Sequence, residues 1–301
     1  MVDEEKKAKR ALYLRKITQS LLNLPTLPTI HARLIEMVDH PNTTATQLGD
    51  LILEDQVLTA KLIKMCNSAY YGLTSEVHDV QRAIVLLGFN IVREIGLGVS
   101  VLNFFKRDGS VTSTMDLAKF WEHSAVVGIA AKLIAKKYFP EQTNQAFIAG
   151  LLHDLGKVVL LQYLPEDFNA IIVEAKKGEK FLYEIETEFF SVHHGIIGSW
   201  LGVKWKLPES VTDCMQYHHQ PLRAPKNKEI LACVVLGNIL AQTQGMGHSG
   251  NWKKIEINEN IELFLKEFPE FGDFSGVFNL GGELEEELEK AMPSLKALLD
   301  Q

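Results

Sequence analysis

Apolar residues recur at three- and four-residue spacing along almost the whole chain, the period of an amphipathic helix. Leu12, Leu14, Ile17, Leu21 and Leu22 form one apolar face before Pro25 and Pro28 interrupt it, and Thr29 to Val38 reads as the next helix, ended by Pro41. Thr44 and Gln47 have capping-box spacing and open a helix that carries Leu48, Leu51 and Ile52. Asp55 caps the following one, with Val57, Leu58, Leu62, Ile63 and Met65 on its face and Gly72 at its end. The spacing predicts further helices over residues 80–87 and 91–105, joined at Gly88-Phe89-Asn90. A polar stretch over 106–114 follows. The period then resumes over 115–138, 144–164 with a break at Gly156, 166–177, 181–203, 208–218 and 229–243. Gly245 to Gly250 reads as a flexible joint. A helix over 255–268, a Gly/Phe-rich loop and a last helix over 283–299, with leucines at 284, 288, 295 and 299, complete the chain. No alternating strand pattern and no internal repeat is present. The expected fold class is all-α: an N-terminal helical bundle over 1–108, a second over 109–245, and an acidic helical appendage over 246–301.

Charge is unevenly placed. The net charge is -7 over 301 residues. Residues 251–301 hold twelve acidic and five basic side chains, so this segment carries the whole excess and the first 250 residues are balanced. The absence of a basic stripe speaks against nucleic acid as a partner. Cys66, Cys214 and Cys233 are three in number and widely spaced, which argues for buried free thiols rather than disulfides or a cysteine zinc site. The N-terminal residues lack an apolar signal core. The apolar region 83–105 is interrupted by Asn90, Arg93 and Glu94, so no membrane span is expected. A cytoplasmic protein is the expectation.

Candidate chemistry concentrates in the second bundle. Six of the ten histidines lie between His123 and His219: His123, His153, His193, His194, His218 and His219. They fall on or beside different apolar helices, and facing helices of a bundle are where metal sites are assembled. The sharpest local signal is GLLHDLGK at 150–157. On a helix, His153 and Asp154 would point ~100° apart and still reach a site between them. Imidazole plus carboxylate suits Mn, Fe, Ni or Zn and not Ca. A structural hydrogen bond that fixes helix packing is the competing reading of the pair. Lys157 is open to two readings, a contact to a substrate phosphate or an exposed cation near a helix end. His193 reads as a solvent-facing or supporting residue. Trp121, Trp200 and Trp205 read as packing residues, Tyr70 and Tyr71 as loop anchors, and the run 283–289 as a solvated helix face.

GLLHDLGK, with a helical His upstream and histidines downstream, resembles the HD-domain superfamily of metal-dependent phosphohydrolases. The stretches LPTLPTIHARLIEMV, LGDLILEDQVLTAKLIKMCNSAYYG, AIVLLGFNIVREIGLG, FWEHSAVVGIAAKLIA, HHGIIGSWLGVKWKLPESV and YHHQP, in that order, narrow the resemblance to the HDOD subfamily over residues 20–245. This implies an HD-type bundle in a module of bacterial signal transduction, many members having lost catalysis. The related HD-GYP phosphodiesterases imply metal ligation by His123, His153, Asp154, His194, His218 and His219. Asn238 stands where active enzymes carry an Asp, and is expected as a seventh ligand that coordinates through its amide oxygen but brings no charge. HHQPLRAP lacks the Gly-Tyr-Pro element tied to cyclic dinucleotides. The resemblance therefore implies a regulatory module holding one or two divalent transition metal ions, with a signalling protein or a small phosphorylated ligand as partner. The alternative it leaves is a phosphohydrolase using a water activated by two metals.

Overall fold

A computed structural model describes residues 11–19, 22, 30, 32–34, 37, 43–68, 71–73, 75–89, 91–92, 95–96, 98–99, 114–253 and 257–299, with side chains described up to Pro293. The described residues contain helices and no strand. After helical residues at 11–19 come three short helices: α1 (Ala45–Leu53), α2 (Gln56–Cys66) and α3 (Val80–Leu87). The starts of α1 and α2 are set by the expected caps. The Thr44 hydroxyl accepts from the Gln47 N–H while Gln47 Oε1 accepts from the Thr44 N–H. The Asp55 carboxylate accepts from the Val57 and Leu58 N–H groups, and Asp79 caps α3. α2 ends at Asn67, ahead of Gly72, and the Asn67 amide pins the next loop by exchanging two 2.7 Å hydrogen bonds with Val77. The helix over 91–105 is described only in part; its described residues are helical. The polar stretch 106–113 and Tyr70 lie outside the described residues.

The second part is built around α4 (Leu117–Tyr138), α5 (Thr143–Leu152), α6 (Leu155–Tyr163), α7 (Pro165–Ala175), α8 (Leu182–Phe190), α9 (His194–Lys204), α10 (Glu209–Tyr217) and α11 (Lys228–Thr243). α4 is sandwiched between α5 and α11, and α9 lies between α6 and α10. The chain then forms α12 (Glu259–Leu265), α13 (Ser275–Phe278) and α14 (Gly281–Leu299), and α14 returns across α4 and α2.

Two expected helices are each two. The 144–164 segment breaks at His153-Asp154, between α5 and α6, and not at Gly156. The 181–203 segment breaks at Ser191, which takes a left-handed conformation (φ 68°), and His193 caps α9 with its own ring nitrogen. Gly156 lies inside α6, where the helix touches α9: a Cβ there would sit 1.9 Å from the His194 carbonyl oxygen. The contact that positions His194 therefore requires glycine.

The three expected segments share one apolar core, running from Tyr13 to Ala291. Tyr13 packs on Phe189 and Phe190 and donates to Asp167 over 2.7 Å. Leu284 and Leu288 of α14 are buried in the same core, whereas the side chains at 295 and 299 lie outside the described residues. Trp121 and Trp205 are buried as expected; Trp200 is exposed. The three cysteines are free and buried, and burial pushes the Cys66 thiol up to about 12. Among the described residues one stretch, Pro140–Tyr163, is long and apolar enough to cross a membrane, contrary to the expectation of none. Its apolar window is 89% buried inside the fold, so its hydropathy is accounted for by the core.

Candidate metal centre

Asp154 sits at the turn between α5 and α6 with φ -97° and ψ 6°, the sparsely populated bridge conformation. The turn aims its carboxylate into the bundle at 2% exposure, with imidazoles on both sides. Oδ1 faces His194 Nε2 at 3.1 Å and His218 Nε2 at 3.6 Å. Oδ2 faces His153 Nε2 at 3.4 Å and His123 Nε2 at 3.9 Å. His219 Nε2 lies 2.9 Å from His194 Nε2. The ligand atoms thus form two groups that share Asp154: one with His194, His218 and His219, the other with His123 and His153. All six expected positions converge.

The hydrogen bonds behind the rings assign the tautomers. His153 Nδ1–H donates to the Gly150 carbonyl over 2.7 Å and His218 Nδ1–H to the Met215 carbonyl over 2.8 Å. Carbonyls only accept, so in the neutral rings Nε2 carries a lone pair aimed inward. His123 Nε2, His153 Nε2 and His218 Nε2 are all buried with no hydrogen-bond partner. Buried polar atoms are rarely left unpaired. Three bare nitrogens turned toward one carboxylate repel it unless a cation lies among them.

Electrostatics agrees with this arrangement. Burial drives the His123 pKa down to about 4 against the pull of Asp154. It holds His153 well below the usual imidazole value and lowers His218. These rings are neutral near pH 7 and available as ligands. For Asp154, burial acts to raise the pKa, but His153, Lys157 and His194 outweigh it and hold the carboxyl well below its ordinary range.

Lys157 fits neither expected reading. It is fully buried, one turn after Asp154 on α6. Its ammonium donates to Asp154 Oδ2 over 2.6 Å, to the Ser249 carbonyl over 2.9 Å and to the Ser249 hydroxyl over 3.2 Å. All three donors are used inside the fold. The 245–250 segment, expected as a flexible joint, is packed: Ser249 is buried, and the His248 N–H donates to the Lys119 carbonyl over 3.0 Å.

Glu186 is the site residue that pattern reading missed. It is fully buried on α8. Its Oε2 accepts the His194 backbone N–H over 2.8 Å and the His194 Nδ1–H over 2.6 Å. Burial disfavours a charged His194, but Glu186 and Asp154 together prevail and raise its pKa. The available signal was a carboxylate in the otherwise apolar face of LYEIETEFF. His193 is buried as a helix cap, with its pKa driven down to about 3 by burial. Tyr183 stacks on His219 at 4.3 Å between ring centroids and fixes that ring. Asn238 is buried on α11 beside His123, with its Oδ1 accepting from the Gln242 amide over 3.1 Å.

The HDOD domain family matches residues 24–221. A protein of Treponema pallidum (strain Nichols) is 26% identical over 230 residues, covering 74% of this chain and 43% of that protein. The chain thus spans less than half the length of that relative. Among solved structures, a candidate phosphohydrolase from Shewanella amazonensis SB2B superposes with a TM-score of 0.73 at 22% identity, covering 94% of this chain and 98% of that one. A candidate signal transduction protein from Marinobacter aquaeolei VT8 superposes with a TM-score of 0.75 at 20% identity, covering 97% of this chain and 67% of that one.

Proposed function

The chain belongs to the HDOD domain family, and from that premise we propose that it is a regulatory, signal-transducing module whose histidine cluster holds a divalent transition metal. The observation that carries the metal is the set of buried, unpaired Nε2 atoms around Asp154. His194, His218 and His219 with Asp154 Oδ1 form the stronger place, because Lys157 already neutralises Oδ2. His123 and His153 form the weaker one. An ion in the cluster would brace α4, α6, α9 and α10 against one another, and divalent transition ions such as Fe, Mn, Ni or Zn match the mixed imidazole and carboxylate donors.

A second reading is favoured by one feature. A carboxylate shared between two ligand groups is the layout of a two-metal hydrolase, and an ion so held lowers the pKa of bound water to ~7 and polarises phosphoryl oxygens. Two features weigh against this: the Lys157 ammonium on Oδ2 and the uncharged Asn238. Elemental analysis of the purified chain tests the metal; near-stoichiometric Fe, Mn, Ni or Zn is expected, and a metal-free protein after growth with all four sinks both readings. A phosphoester panel with His153→Ala and Asp154→Ala controls separates them. The module reading expects no turnover that these substitutions remove.

A further inference from the structure

Between α4 and α14 lies a cavity of about 370 Å³, within the range of small-molecule sites. From α4 it is lined by Glu122 and Val126, one turn apart. From α14 it is lined by Glu285, Leu288, Glu289 and Met292, whose three- and four-residue spacing puts them on one face. Met246, just beyond α11, completes it. Val126 and Leu288 are buried and the two methionines half-buried, so the floor is apolar. Unbranched thioether side chains adapt their shape to what lies on them. Glu122 is half-buried, and Glu285 and Glu289 are exposed at the edge.

These carboxylates are left unneutralised. Among the described residues no ion pair engages Glu122, Glu285 or Glu289, and Lys290, which follows Glu289, pairs with Glu287 outside the cavity. Glu285 and Glu289 are four residues apart on one helix, a like-charge pair that weakens it. The three glutamates also do not converge as ion ligands do. Among the described residues, the acidic and imidazole groups that gather in threes or more within 4.8 Å are the two at Asp154. The negative charge here is spread around an apolar floor instead. A magnesium or calcium ion needs a shell of oxygens around one point. A cation whose charges are separated by methylenes meets both the carboxylates and the floor. We infer that this cavity binds an aliphatic polyamine, with its ammonium groups on Glu122 of α4 and on Glu285 and Glu289 of α14, and its methylene body over Met246, Leu288 and Met292. Met246 and the α14 residues lie beyond the 24–221 match, so membership of the family does not imply the site. The site is distinct from the metal centre but adjoins its framework. Glu122 precedes His123, and Met246 precedes Gly247, which has φ 69° and on which a Cβ would lie 2.3 Å from the His123 backbone nitrogen. The inference does not rest on a bound metal.

Spermidine is the probe. Isothermal titration calorimetry on the full chain, at fixed ionic strength, should show saturable binding. Glu122→Gln should weaken it about tenfold, the loss of one charge-assisted contact, and Glu285→Gln with Glu289→Gln should weaken it further. Met292→Gln should also lower the affinity, because it removes apolar floor while keeping every carboxylate. Glu283→Gln, exposed on α14 and outside the cavity, should leave binding unchanged. Glutamine keeps the shape of glutamate, and thermal melts confirm that the variants remain folded. Absence of saturable spermidine binding overturns the inference, as does equal affinity in the triple glutamine variant. Displacement of spermidine by magnesium at matched charge concentration also overturns it, since it would mark a diffuse acidic surface. Tighter binding of acetyl-trilysine amide, a peptide of equal charge, would assign the face to a protein partner and overturn the small-molecule site.

Discussion

The two sides of Asp154 use the same residue types in different ways. On the Oδ1 side, His194, His218 and His219 meet with no fixed cation among them, and the buried Glu186 holds His194 from behind. On the Oδ2 side, His123 and His153 share their carboxylate oxygen with the Lys157 ammonium. A lysine ammonium is tethered to the chain, whereas a bound ion is exchangeable. The contrast teaches that counting ligands is not enough: what else touches the shared oxygen sets how much attraction is left for an incoming cation.

Asp154→Ala should break both sides at once and have the largest effect. It strands a buried ammonium, which typically costs ~3–5 kcal/mol, and it should remove all bound metal. Thermal unfolding and elemental analysis read the two losses, and Asp154→Ala with Lys157→Met should recover stability without recovering metal. Gly156→Ala comes next. The added Cβ collides with the His194 carbonyl, overpacking of this kind costs ~1–3 kcal/mol, and metal should be lost through displacement of α9, detectable as a lowered melting temperature with reduced metal content. Glu186→Gln sharpens the comparison: removal of such an orienting carboxylate lowers metal affinity ~10–100-fold, here on the Oδ1 side alone, as competition with a chromophoric chelator would report. His218→Ala should then reduce metal content well below that of His153→Ala; equal losses from the two would mean that the sides are equivalent. The smallest effect is expected from Asn238→Asp, which adds a carboxylate beside His123 and should raise occupancy of the Oδ2 side toward a second ion, measured by native mass spectrometry.

Much of this was legible in the residues. Helical period located α1 to α3, and cap residues located the starts of α1 and α2, because both signals are local. Histidine and aspartate are conspicuous in apolar helices, and the resemblance to HD domains picked out the six converging positions among them. The break at His153-Asp154 was not, since apolar residues continue on both sides and the turn is imposed by what the carboxylate faces. Lys157 and Glu186 were misread or missed for a common reason: a charge on a helix shows its period, while its burial depends on partners distant in the chain. The 245–250 glycines looked like a joint, yet the positive φ of Gly247 is what lets the segment press against His123.

The bond from Lys157 to Ser249 spans 92 residues. During synthesis, a nascent chain emerging from the ribosome exposes Lys157 long before its second anchor exists. Burying that ammonium any earlier would leave two of its protons without acceptors. Full satisfaction of the buried ammonium therefore requires the segment beyond α11. A chain truncated before residue 249 should stay loosely assembled at this point however complete its set of imidazoles.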